Sequence, residues 1–74
     1  MKTEVLNTYG LKCPQPILRI AVKAPNMEPG DILEVLGDCP MFEKDVLGWC
    51  ERLGKLVLSV EHEKENKKRI QIQI

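Results

Sequence analysis

Three cysteines carry most of the reactive chemistry open to this sequence: Cys13, Cys39 and Cys50. Cys13 precedes Pro14-Gln15-Pro16, Cys39 lies between Asp38 and Pro40, and Cys50 follows Trp49. Proline suits the first position of a helix, because the N–H it lacks would have no intrahelical partner there. Cys13 is therefore expected at a helix N-cap, a place usually taken by Ser, Thr or Asp. A sulfur in that position meets free backbone N–H groups, such as that of Gln15, and the positive end of the helix dipole. Both favour the thiolate and raise its reactivity at neutral pH. Gly10 and Leu11 allow the chain to turn from a strand into this helix and to present the sulfur outward. The competing reading is a buried structural cysteine, a common fate of free thiols. Two prolines flanking the N-cap weigh against it.

Asp38-Cys39-Pro40 repeats the arrangement, a cysteine followed by proline at a helix start. If the strands preceding the two cysteines are parallel, both N-caps fall on one edge of the sheet. Cys39 is then either a second sulfur site or resolving thiol near Cys13, or an ordinary capping residue. Cys50 belongs to an apolar helical stripe and is expected to be buried and inert. A zinc site would need all three cysteines and the only histidine, His62, without the usual close ligand spacing. His62 is expected to be exposed in a hairpin beside Glu61 and Glu63. Lys12, Arg19 and Lys23 could form a basic strip beside Cys13, since residues 19 and 23 are one helical turn apart.

The elements that hold these residues follow from punctuation and period. Thr3 to Asn7 reads as a strand, and Pro14 to Ala24 as a helix stopped by Pro25. Ile32 to Leu36, between Pro29-Gly30-Asp31 and Gly37, reads as a well-buried strand. Pro40 to Leu53 is a helix whose stripe is Phe42, Val46, Trp49, Cys50 and Leu53, with Gly54 as its C-terminal cap. Ile20 and Leu47 look off-stripe and exposed. Leu56, Leu58 and Val60, then Ile70, Ile72 and Ile74, alternate with polar or smaller residues, predicting a hairpin that turns near Asn66. Ser59, Glu61, Gln71 and Gln73 are expected to face water. The order β-α-β-α-β-β predicts an α+β fold: a two-layer α/β sandwich with a four-stranded mixed sheet and two helices on one face.

The 74 residues, 43% of them hydrophobic, suit one domain spanning 1-74. Eleven basic side chains balance eleven acidic ones. A direct nucleic-acid binder needs a basic surface to neutralise phosphates, so that class is disfavoured. No apolar run approaches the roughly 20 residues needed to span a bilayer, and Met1-Lys2-Thr3-Glu4 does not open like a signal peptide. A cytoplasmic location without membrane attachment is the expectation. An odd number of cysteines cannot be fully paired within the chain, and their fraction is far below that of a disulfide scaffold.

Gly10-Leu11-Lys12-Cys13-Pro14-Gln15-Pro16 resembles the G-L-x-C-P-x-P signature of the TusA/SirA-like sulfur-carrier family. The resemblance continues through Glu28-Pro29-Gly30-Asp31, Leu33-Glu34-Val35, Asp38, Pro40, Asp45 and Trp49-Cys50 to Gly54, nearly the whole chain. It implies the same β-α-β-α-β-β sandwich. It also implies that Cys13 accepts a sulfane sulfur as a persulfide and relays it to an acceptor protein, with no metal or organic cofactor. The implied donors are cysteine desulfurases or rhodanese-like enzymes. The implied acceptors are DsrE-type relay proteins, leading to tRNA thiolation, cofactor synthesis or sulfur oxidation. Asn7 departs from the acid the family often carries three residues before the Gly-Leu pair, and the resemblance does not require Cys39. Two other readings stay open: a regulatory or interaction module without sulfur chemistry, and a redox sensor closing a Cys13/Cys39 disulfide.

Overall fold

The structure is a computed structural model that describes residues 2–74. Its elements are β1 (Thr3–Asn7), α1 (Gln15–Lys23), a 3-10 turn (Ala24–Asn26), β2 (Ile32–Gly37), α2 (Phe42–Leu53), β3 (Leu56–His62) and β4 (Lys68–Gln73). The expected α+β class and element order are observed. The sheet runs β1-β2-β4-β3. β1 and β2 are parallel, and β4 inserts between β2 and β3, antiparallel to both. The mixed sheet thus arises because a β-α-β unit leaves a gap that the last strand of the hairpin fills.

The helices cover one sheet face, and the apolar side chains turned toward them form the core. Leu33 and Val35 of β2, Ile70 and Ile72 of β4, Ile20 of α1, and Phe42 and Val46 of α2 are all fully buried. β2 alternates buried and half-buried positions, so it is buried on one face rather than throughout, as a sheet covered on one side requires. Ile20 was expected to be exposed and is instead central. Ile17 and Ile20 share the inner face of α1, which Ala24 continues into the 3-10 turn, while Leu18 and Val22 are exposed. Leu53, expected in the stripe of α2, is 56% exposed, and burial on that helix ends with Cys50. Leu47, by contrast, is half-buried.

β3 departs from its apparent alternation. Val57 pairs with Ile72 and packs against the core, and Leu56 pairs with Gln73 and is exposed. A bulge between Val57 and Ser59 shifts the register, so Ser59 and Glu61 recover the open face, opposite Gln71 and Arg69. One extra residue inverts the face before it relative to the face after it. On that open face, Ser59 Oγ donates to Gln71 Oε1, and Gln71 Nε2 donates to Glu34 Oε1 at 3.0 Å. The polar side chains there are linked rather than merely wet. Glu65 and Asn66 both take positive φ in the turn of the hairpin, where it was expected.

Candidate functional site

The parallel pairing of β1 and β2 carries the chain out of the sheet twice at the same edge, after Asn7 and after Gly37. Thr8 prolongs β1 by one step, since its N–H and its hydroxyl both donate to the Leu36 carbonyl. Asn7 Oδ1 accepts the Tyr9 N–H at 2.9 Å. An aspartate would accept the same bond, so the amide keeps the turn and omits the charge. The chain then reverses at Thr8 to Leu11, closed by the Leu11 N–H on the Thr8 carbonyl, with Gly10 at φ 82°. That conformation is open to glycine and costly for a residue with a Cβ.

The Gly10 N–H donates to the carboxylate of Asp38, 3.1 Å from Oδ1 and 3.3 Å from Oδ2. The loop leaving β1 is thereby tied to the loop leaving β2. Cys13 and Cys39 are joined across these loops by a disulfide, with their Cα atoms 6.2 Å apart. Gly10, Leu11 and Lys12 form one wall of an open depression of about 540 Å³ and Asp38 and Pro40 the other, with the two cysteines between them. Cys13 is half-buried and Cys39 is 8% exposed. The expectation that parallel strands bring the two cysteines together is met.

Neither cysteine is an N-cap. The cap of α1 is Pro14 and the cap of α2 is Met41, so Cys13 precedes its cap by one residue and Cys39 by two. The prolines sit in turns that lead into the helices instead of at their first positions. The Gln15 N–H is also not free for a sulfur, because it donates to the Lys12 carbonyl at 2.8 Å, while the N–H groups of Ile17 and Leu18 turn to Pro14. Pro16, the second helical residue, has no N–H and is buried. What remains beside the pair is the positive end of each helix dipole and the exposed Lys12. The basic strip is divided: Lys23 pairs with Glu4 at 2.7 Å, and Arg19 and Lys23 line a separate groove with Leu18 and Val22.

Cys50 stands apart from this site. It is a free thiol, 1% exposed in α2, and burial pushes its pKa up. Trp49 is buried as expected, and His62 Nε2 contacts Glu43 Oε1 on α2. Among the described residues no group of three or more His, Cys, Asp or Glu side chains is placed to hold a metal ion. No described helix is long and apolar enough to cross a membrane.

Asp38 is the site residue that the motif reading passed over as chemistry. A positive-φ glycine leaves an N–H pointing off the turn, and an acid next to the second cysteine is a natural acceptor. That was the available signal.

The sequence matches the family described as "Sulfurtransferase TusA" over residues 4–74. The chain belongs to the TusA family. It is also 36% identical over 58 residues to a protein of Aquifex aeolicus (strain VF5) named "Putative sulfur carrier protein". That stretch is 78% of this chain and 29% of the relative, so the chain spans well under half of the relative's length. The TusA match includes the whole of both cysteine loops, so the disulfide and the Gly10–Asp38 tether lie within the family domain rather than in an addition to it.

Proposed function

We propose that this TusA-family domain is a sulfur carrier in which Cys13 holds a sulfane sulfur as a persulfide. The observation that supports it is the position of Cys13, half-buried but opening onto a depression where two loops leave the sheet at one edge. A partner's persulfide can approach from solvent without disturbing the core. In the reduced protein, the Cys13 thiolate attacks the outer sulfur of the donor persulfide. A bond forms between Cys13 Sγ and that sulfur, the donor's sulfur–sulfur bond breaks, and the donor leaves as a thiolate. An acceptor thiolate then takes the same sulfur from Cys13 by a second displacement. Donors are a cysteine desulfurase or a rhodanese-like protein, and acceptors are DsrE-type or other relay proteins feeding tRNA thiolation, cofactor synthesis or sulfur oxidation. The chemistry calls on no metal or organic cofactor. Gly10, Leu11, Pro14, Gln15 and Pro16 support the loop that carries the thiol. Such a carrier works in the cytoplasm, where free thiols stay reduced.

Incubation of the reduced protein with a cysteine desulfurase and cysteine, followed by intact mass, tests this. A gain of about 32 Da, read at the earliest times and in Cys39→Ser, that reductant removes and Cys13→Ser abolishes is expected. Absence of the adduct with every donor class would leave a non-catalytic interaction module as the better reading. The disulfide itself favours a second reading, a thiol redox sensor. Its mark is a loss of about 2 Da on mild oxidation that depends on both Cys13 and Cys39.

A further inference from the structure

The disulfide needs no external oxidant if the cargo itself can supply the oxidising equivalents. We infer that Cys39 is a resolving thiol that discharges the Cys13 persulfide as hydrosulfide, giving the carrier a second, sulfide-releasing activity. This rests on the proposed persulfide at Cys13.

Three features carry the inference. The Cα atoms of Cys13 and Cys39 are 6.2 Å apart, within the range that a disulfide spans without backbone movement. The Gly10–Asp38 hydrogen bonds hold the two loops at that separation independently of the sulfurs. Cys39 is bonded to Cys13 and, in that state, only 8% exposed, so it is largely closed to other thiols in solution. A resolving residue needs this combination of proximity to one sulfur and seclusion from the rest. An ordinary structural half-cystine would have no cause to stand on the depression that receives cargo.

The step balances internally. The Cys39 thiolate attacks Cys13 Sγ, the bond between Cys13 Sγ and the sulfane sulfur breaks, and that sulfur leaves with the electron pair. The proton lost from the Cys39 thiol ends on the leaving group, giving one hydrosulfide ion and the Cys13–Cys39 disulfide. The two cysteine sulfurs are oxidised by two electrons in total, and the sulfane sulfur is reduced to sulfide. A dithiol reductant later reopens the pair and becomes a disulfide itself.

The test is a single-turnover loading of reduced, desalted protein under argon with glutathione persulfide, followed by intact mass, peptide mapping and sulfide capture. The wild type should pass through a species about 32 Da heavier and end about 2 Da lighter, with one sulfide released per chain. In Cys39→Ser, and in Cys39→Ala as a second variant, the heavier species should last at least about tenfold longer, because the intramolecular attack is lost. A persistent heavy adduct in the wild type, on either cysteine, would overturn the inference and leave the carrier reading intact. So would a glutathione adduct in the Cys39 variants in place of the persulfide, since the disulfide would then arise without one. No heavier species in any variant, with glutathione persulfide or with a cysteine desulfurase or rhodanese-like donor, would instead sink the carrier reading itself.

Discussion

The backbone N–H of Gly10 reaches across 28 residues of sequence to the carboxylate of Asp38, immediately before Cys39. This contact sets the distance between the two sulfur-bearing loops by a bond that does not involve sulfur. Asp38→Ala should cost about 1 kcal/mol of stability, the ordinary worth of a lost hydrogen bond, read from urea unfolding of the reduced protein. It should also slow re-formation of the Cys13–Cys39 disulfide after reduction. Asp38→Asn keeps an acceptor oxygen and should recover most of both. Unchanged disulfide kinetics in the alanine variant would show that the tether does not position the loops.

Two glycines should respond to alanine in opposite directions. A Cβ on Gly37 would overlap the ring of Phe42, which is fully buried at the start of α2. Overpacking there should cost about 1–3 kcal/mol. Gly48 lies within α2, and a Cβ there meets nothing. Gly48→Ala should stabilise the protein by about 0.5–1 kcal/mol, since alanine loses less backbone freedom in a helix. Thermal or urea melts of the pair give the comparison, and a destabilised Gly48→Ala would contradict it.

Asp31 gives the fold a dependence on acid. Its carboxylate accepts the Lys2 N–H at 3.0 Å and the Glu28 N–H at 3.1 Å, and these two bonds hold its pKa below the usual 3.8. A carboxyl lowered in the folded state contributes its stabilisation above the unfolded value and loses it as pH falls through the folded value. The stability difference between wild type and Asp31→Asn should therefore be full at neutral pH and shrink below about pH 4. A gap that stays constant from pH 7 to strongly acidic solution would refute this.

Much of the site could be read from local residue types. Cys13 and Cys39 share a neighbouring proline, and parallel strands before them are enough to bring them to one edge. The helix starts were harder, because proline is as comfortable in the turn before a helix as in its first position. Pro14 and Pro40 both took the earlier place, and the Gln15 N–H went to Lys12 instead of staying open to sulfur. Asp38 shows another limit. Its partner is a backbone group 28 residues away, and only the closed loops bring them together. Ser59 and Glu61 face the open side as the alternation predicts, but Leu56 does not face the core, because a bulge at Leu58 breaks period two. Ile20 is hard to place from sequence because α1 carries apolar residues on both faces: Ile17 and Ile20 pack inward while Leu18 and Val22 stay exposed.

β1 is an edge strand of five residues, paired among the described residues with β2 alone. Short edge strands are the first parts of a sheet to fray. The disulfide joins the segment just beyond β1 to the segment just beyond β2, so it acts as a clasp on the most detachable strand. Closing the loop between residues 13 and 39 also removes about 3–4 kcal/mol worth of chain entropy from the unfolded state. Opening the clasp therefore does two things at once. It frees the thiol proposed to take cargo, and it loosens the hem of the sheet from which that thiol is displayed, so the form proposed to take sulfur is also the more pliant one.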